Sequence, residues 1–194
     1  MSKVVYIVLT ETGTLLSRAI QLYTQEDYNH VSIAFDADLN DMYSFGRKFE
    51  NNPFIGGFIK ESIQSKWLRE SNCAIYECPL TDEQYKSLKQ KIYHYQLHME
   101  KYRYNFIGLI GIACHIKLER QHAFFCSQFI ATLFQEIGLS LDGRCPYFTK
   151  PADFSKLPYL HLCYTGKLSN FTLIPADGPH PNIPIHAIKS LSRI

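Results

Sequence analysis

The run Val4-Val5-Tyr6-Ile7-Val8-Leu9 limits the fold more than any other stretch of the chain. Successive side chains of a strand point to opposite faces, and here both faces are apolar or aromatic and rich in β-branched residues. The run therefore reads as a central strand. With 194 residues, 46% of them hydrophobic, the chain is long enough to build one full core around it. No internal repeat and no linker divides the sequence. The expected organisation is one domain over residues 1–174, with a proline-rich stretch, 175–194, laid on its surface.

The following segments supply neighbours for that strand. Leu15, Leu16, Ala19, Ile20 and Tyr23 have the spacing of a short amphipathic helix. His30 to Phe35 alternates, with Val31, Ile33 and Phe35 on one face and the small polar set His30, Ser32 and Ala34 on the other. Asp41 to Gly46 is expected to pair with it as a hairpin. Arg47 to Lys60 holds Asn51-Asn52-Pro53 and Gly56-Gly57 and reads as a long irregular loop bordering a groove. Cys73 to Cys78 reads as a strand ended by Pro79. Thr81-Asp82-Glu83-Gln84 has the pattern of a capping box, opening a helix with Tyr85, Leu88, Ile92, Tyr95, Met99 and Tyr102 on its apolar side. Asn105 to Lys117 is expected as a short apolar helix, and Leu160 to Phe171 as a strand pair turning at Thr165-Gly166-Lys167.

A net charge of +2 without a basic run argues against a nucleic-acid partner. No stretch approaches the ~20 apolar residues of a transmembrane segment. The first apolar run is too short for a signal peptide, so the chain reads as cytoplasmic, with its six cysteines reduced. No Cys-x-x-Cys pair occurs, and neither a metal nor a cofactor is expected. His94 and His98 lie four apart on the long helix but have no third ligand nearby.

The chemistry concentrates at Phe124-Phe125-Cys126-Ser127-Gln128-Phe129. Ile130, Leu133, Phe134 and Ile137 continue it as a helix that stops at Gly138. Cys126 then lies in the first turn, where the helix dipole and unpaired backbone N–H groups favour a thiolate. Thiol catalysis also needs a base and a group that orients the base. His30, opening a strand on its small polar face, is the first candidate for the base, and His122 is a weaker rival.

Taken together, Asn29-His30-Val31-Ser32-Ile33-Ala34 and the later Phe125-Cys126-Ser127-Gln128-Phe129-Ile130-Ala131 resemble the permuted papain-like cysteine amidases. These are circularly permuted relatives of NlpC-type hydrolases, with the YiiX-like proteins and the lecithin–retinol acyltransferase group as cousins. Tyr102-x-Tyr104-Asn105-Phe106 and Lys150-Pro151-Ala152-Asp153-Phe154 add to the likeness, which spans about residues 3–170. The resemblance implies an α+β papain-like fold, an antiparallel sheet with the Cys126 helix packed on one face. It implies Cys126 as nucleophile and His30 as general base of a hydrolase that cleaves an amide in a small-molecule, peptide or acyl substrate. The third polar group would fall on Ser44, with Glu61 as the alternative. Tyr6 or Gln128 would help the Cys126 backbone N–H meet an oxyanion, and Phe49, Phe54, Gly57 and Phe58 would line the substrate groove. An acyltransferase or thioesterase, or a binding module that has lost turnover, are the alternatives; the serine in the third position favours the last.

Overall fold

The computed structural model describes residues 3–13, 26–49, 52–106, 108, 116–118 and 120–171, with the backbone alone at 49 and 52–54. The expected helix at 15–23, most of the expected helix at 105–117, and the proline-rich stretch with its boundary at 174 lie outside them. Among the described residues the protein is α+β, with a six-stranded antiparallel sheet. The strands are β1 (Lys3–Glu11), β2 (His30–Ala34), β3 (Met42–Phe49), β4 (Asn52–Glu61), β5 (Asn72–Leu80) and β8 (His161–Lys167), in the spatial order β4-β3-β2-β1-β5-β8. A second, two-stranded parallel sheet joins β6 (Arg103–Tyr104) to β7 (Ala123–Phe124). The helices are α1 (Lys66–Arg69), α2 (Asp82–Leu97) and α3 (Cys126–Glu136). None of the described helices is long and apolar enough to cross a membrane.

β1 does lie in the interior of the sheet, paired with β2 on one edge and β5 on the other. Its alternate residues feed two cores. Val5, Ile7 and Leu9 meet Phe129, Ile130, Leu133 and Phe134 of α3 and Leu88 and Ile92 of α2. On the other face Val8 joins Ala34, Met42, Leu68, Ile75 and Leu168.

α2 starts with the capping box expected of Thr81 and Gln84, each side chain taking the other residue's backbone N–H. The Gln84 amide also donates to the Ile137 carbonyl at 3.3 Å, tying the start of α2 to the end of α3. α3 ends as its sequence predicts. Gly138 has φ of +79°, Leu139 N–H donates to Phe134 C=O, and Gly138 N–H donates to Gln135 C=O. This is a Schellman motif, which needs a residue without a Cβ at that position.

Three expectations are corrected. The supposed loop 47–60 is a hairpin, because β3 runs on to Phe49 and β4 occupies Asn52–Glu61. Its glycines serve close approach: a Cβ on Gly56 would stand 2.7 Å from Tyr104 Cβ, and one on Gly57 would stand 2.4 Å from the Tyr102 carbonyl oxygen. Pro79 does not end β5 but pairs with Val4. It lies beyond the Glu77–His161 pair that ends the contact with β8, so β5 has a free edge there that tolerates a residue without N–H. Thr165-Gly166-Lys167 makes no turn; all three pair with Ala74, Cys73 and Asn72 in a single strand.

Candidate active site

The site forms where β2 and β3 separate. They share only Ile33–Tyr43 and Ala34–Met42 as paired residues. One step further in the same register, Ser32 and Ser44 face each other without pairing. α3 packs against β2 and β3, and Cys126 and His30 are both buried, 4% and 8% exposed. Phe125, the residue before Cys126, is extended and gives no side-chain cap, so the N–H groups of the first turn have no side-chain acceptor from it.

Cys126 lies beside His30, close enough to raise the ring's proton affinity. The ring's Nε2–H donates to Glu61 Oε1 at 2.8 Å. Two hydroxyls complete the carboxylate's surroundings: Ser44 Oγ donates to Oε1 at 2.7 Å and Ser32 Oγ to Oε2 at 2.5 Å. Ser32 Oγ also stands 3.3 Å from His30 Nε2. The residue before the histidine is fixed as well: Asn29 Oδ1 accepts from Thr12 N–H and Oγ1–H, and its amide donates to the Thr12 carbonyl.

Burial alone would lower the proton affinity of His30. The Glu61 charge opposes it, and with the neighbouring Cys126 and the hydrogen bond to Glu61 pushes the ring up to about 10. For Glu61 the largest influence, burial, would raise its pKa. The facing His30 charge and the hydrogen bonds from His30, Ser32 and Ser44 overcome this and hold the carboxyl below its ordinary value. Both shifts favour the charged forms, a protonated ring facing an ionised carboxyl.

Of the two candidates for the orienting group, Glu61 meets the ring and Ser44 does not. Ser44 binds the carboxylate instead. Tyr104 is the group that sequence reasoning missed. It lies beside Cys126, and burial together with that neighbour raises its pKa well above 10, so the hydroxyl keeps its proton. The signal was present in the Tyr102-x-Tyr104 approach to the Cys126 segment, and β6–β7 pairing, Tyr104 opposite Phe124, converts it into proximity.

Other expected residues lie elsewhere. Tyr6 is level with Ala34 on β1, whereas His30 is level with Thr10. Four residues of strand, about 13 Å, separate the two levels, so the structure does not bring Tyr6 to the sulfur. Phe58 is fully buried and stacked on Tyr43 and Tyr95, with ring centroids 5.8 and 5.6 Å away; it is core. Gly57 is buried against Tyr102. The side chains of Phe49 and Phe54 lie outside the described residues. Gln128 is buried in the first turn of α3, and its Oε1, like Thr10 Oγ1 across from His30, has no hydrogen-bond partner among the described residues. His122 packs edge-on to Tyr102 at 5.5 Å.

His94 and His98 stand with ring centroids 4.8 Å apart. Among the described residues, no group of three or more His, Cys, Asp or Glu side chains could hold a metal ion. No protein-family model matches the chain, and no curated protein matches it either.

Proposed function

We propose that this protein is a cysteine hydrolase of the permuted papain-like class, cleaving an amide bond through an acyl-enzyme. The observation that carries the reading is the continuous side-chain relay Cys126–His30–Glu61, with a helix start at the sulfur and a buried carboxylate behind the ring. A cysteine beside a protonated imidazole at a helix start is placed to act as a nucleophile. Its sulfur attacks the substrate carbonyl. The oxyanion is met by the Cys126 backbone N–H and the Tyr104 hydroxyl. His30 gives its proton to the leaving amine, then takes one from the water that hydrolyses the thioester. Glu61 holds the ring in place and stabilises its positive charge. The contact of Glu61 with the His30 ring supports a catalytic reading over a non-catalytic module that rests on Ser44 alone.

The test is acyl transfer to the protein. Incubation with p-nitrophenyl acetate, followed by intact-mass and peptide analysis, should place an acetyl group on Cys126 in the wild type and none there in His30→Ala. Cys145, which is free and exposed, serves as an internal control. Acetylation of Cys145 at the same rate as Cys126, or an unchanged rate in His30→Ala, overturns the reading.

A further inference from the structure

We propose that Ser32 and Ser44 act as a hydroxyl clamp that keeps the proton of the His30–Glu61 pair on the histidine, so that the ring faces Cys126 as an imidazolium. The inference rests on the hydrolase reading and adds two positioning residues to it. Glu61 pairs with Met42 on the neighbouring strand, yet its carboxylate reaches both serines, one on each side of the split between β2 and β3. Both serines are fully buried, and the Glu61 side chain is 1% exposed.

In such a dry place an ion pair competes with a neutral pair in which the proton has crossed to the carboxylate, because burial penalises both charges. Hydrogen bonds donated to the carboxylate stabilise only its ionised form. A hydroxyl supplies that bond without a positive charge that would repel the imidazolium. The surrounding groups leave this task to the serines. Cys126 of α3 and Tyr104 of β6 lie on the sulfur side of the ring. Thr10 of β1 stands opposite His30 in the register. Trp67 of α1 presents its ring edge-on to His30 at 6.2 Å, and the Arg47 guanidinium of β3 lies over that indole at 5.8 Å. Cys126, Tyr104, Thr10 and Trp67 are not among the carboxylate's described hydrogen-bond partners, which include His30, Ser32 and Ser44.

The experiment compares wild type, Ser32→Ala, Ser44→Ala, the double alanine variant and Ser32→Thr. Two quantities are read near pH 7: the ¹⁵N signals of the His30 ring, assigned through their loss in His30→Gln, and the alkylation rate of Cys126 by iodoacetamide. The wild type should show both ring nitrogens protonated. The double alanine variant should lose the imidazolium signature and alkylate at least tenfold more slowly, while Ser32→Thr retains both properties of the wild type. A merely structural role gives the opposite order: alanine, the closer fit, leaves ring and rate untouched. An imidazolium and a wild-type rate in the double variant overturn the clamp. If wild-type Cys126 alkylates no faster than Cys145, the hydrolase reading fails instead, and the ring signals still decide the fate of the clamp. Should the threonine variant fail to fold, the alanine series alone decides between clamp and scaffold.

Discussion

Glu61→Gln keeps the shape of the buried side chain and removes its charge, which makes it the cleanest perturbation of the relay. His30 is held at about 10 against an ordinary 6.5. At about 1.4 kcal/mol per pH unit, that gap links about 5 kcal/mol of folding free energy to one proton. Cys126 supplies part of it, so the share lost with Glu61 falls near the about 3–5 kcal/mol expected when one partner of a buried pair is removed. Between the two pKa values the folded protein keeps the His30 proton and the unfolded chain releases it. The stabilisation is therefore complete below about pH 6.5 and is lost as pH rises through about 10. Glu61, with its pKa lowered, is ionised in both states across this window and adds no slope there. Urea unfolding of both proteins from about pH 6 to about pH 10 gives the comparison directly. Wild type should exceed the variant most at the acid end, and the two curves should converge towards the alkaline end. Parallel curves would refute the reasoning, because they would mean that the carboxylate does not hold the proton.

Three other outcomes are expected. Gly57→Ala should lose about 1–3 kcal/mol in urea unfolding, since its Cβ would meet a backbone carbonyl that cannot turn aside. Thr81→Ala should cost about 1 kcal/mol by opening the capping box, with Cys126 alkylation unchanged because the start of α2 is tied to the far end of α3. Tyr104→Phe should fold as the wild type does and form the acetyl-enzyme about a hundredfold more slowly, as measured by rapid-quench mass analysis; an unchanged rate removes Tyr104 from the oxyanion's partners.

The parts of this fold that the sequence revealed are those decided by local rules. Alternation marked β2, two apolar faces marked β1, and cap chemistry fixed the start of α2 and the end of α3. The Cys126 helix and the head of β2 were legible for the same reason, whereas the expectation that Cys126 and His30 work together came from the family resemblance. What stayed hidden depends on partners far along the chain. Asn52-Pro53 and Gly56-Gly57 carry the composition of a loop, yet the glycines lie in β4 because Tyr102 and Tyr104 pass across it. The family resemblance put the orienting group on the strand after β2, which made Ser44 the first candidate and Glu61 the alternative. Only the β3–β4 register, with Met42 opposite Glu61, carries a carboxylate back to His30 from a residue 31 positions away. Gly166 misled in the same manner at β8, where an edge strand bears a residue more common in turns.

The place of β1 inside the sheet has a consequence for the chain while it is being made. Its pairing with β5 sets Lys3 opposite Leu80 and Glu11 opposite Asn72, separations of 77 and 61 residues. At roughly 5–20 residues per second of synthesis, about 3–15 s pass before those partners emerge. Through that interval one edge of a strand apolar on both faces has no ladder to join, a condition that invites pairing with other chains. Contacts of such long range also slow folding after release. The same two apolar faces that seat β1 at the heart of the finished sheet thus make it the segment most in need of shelter on the ribosome.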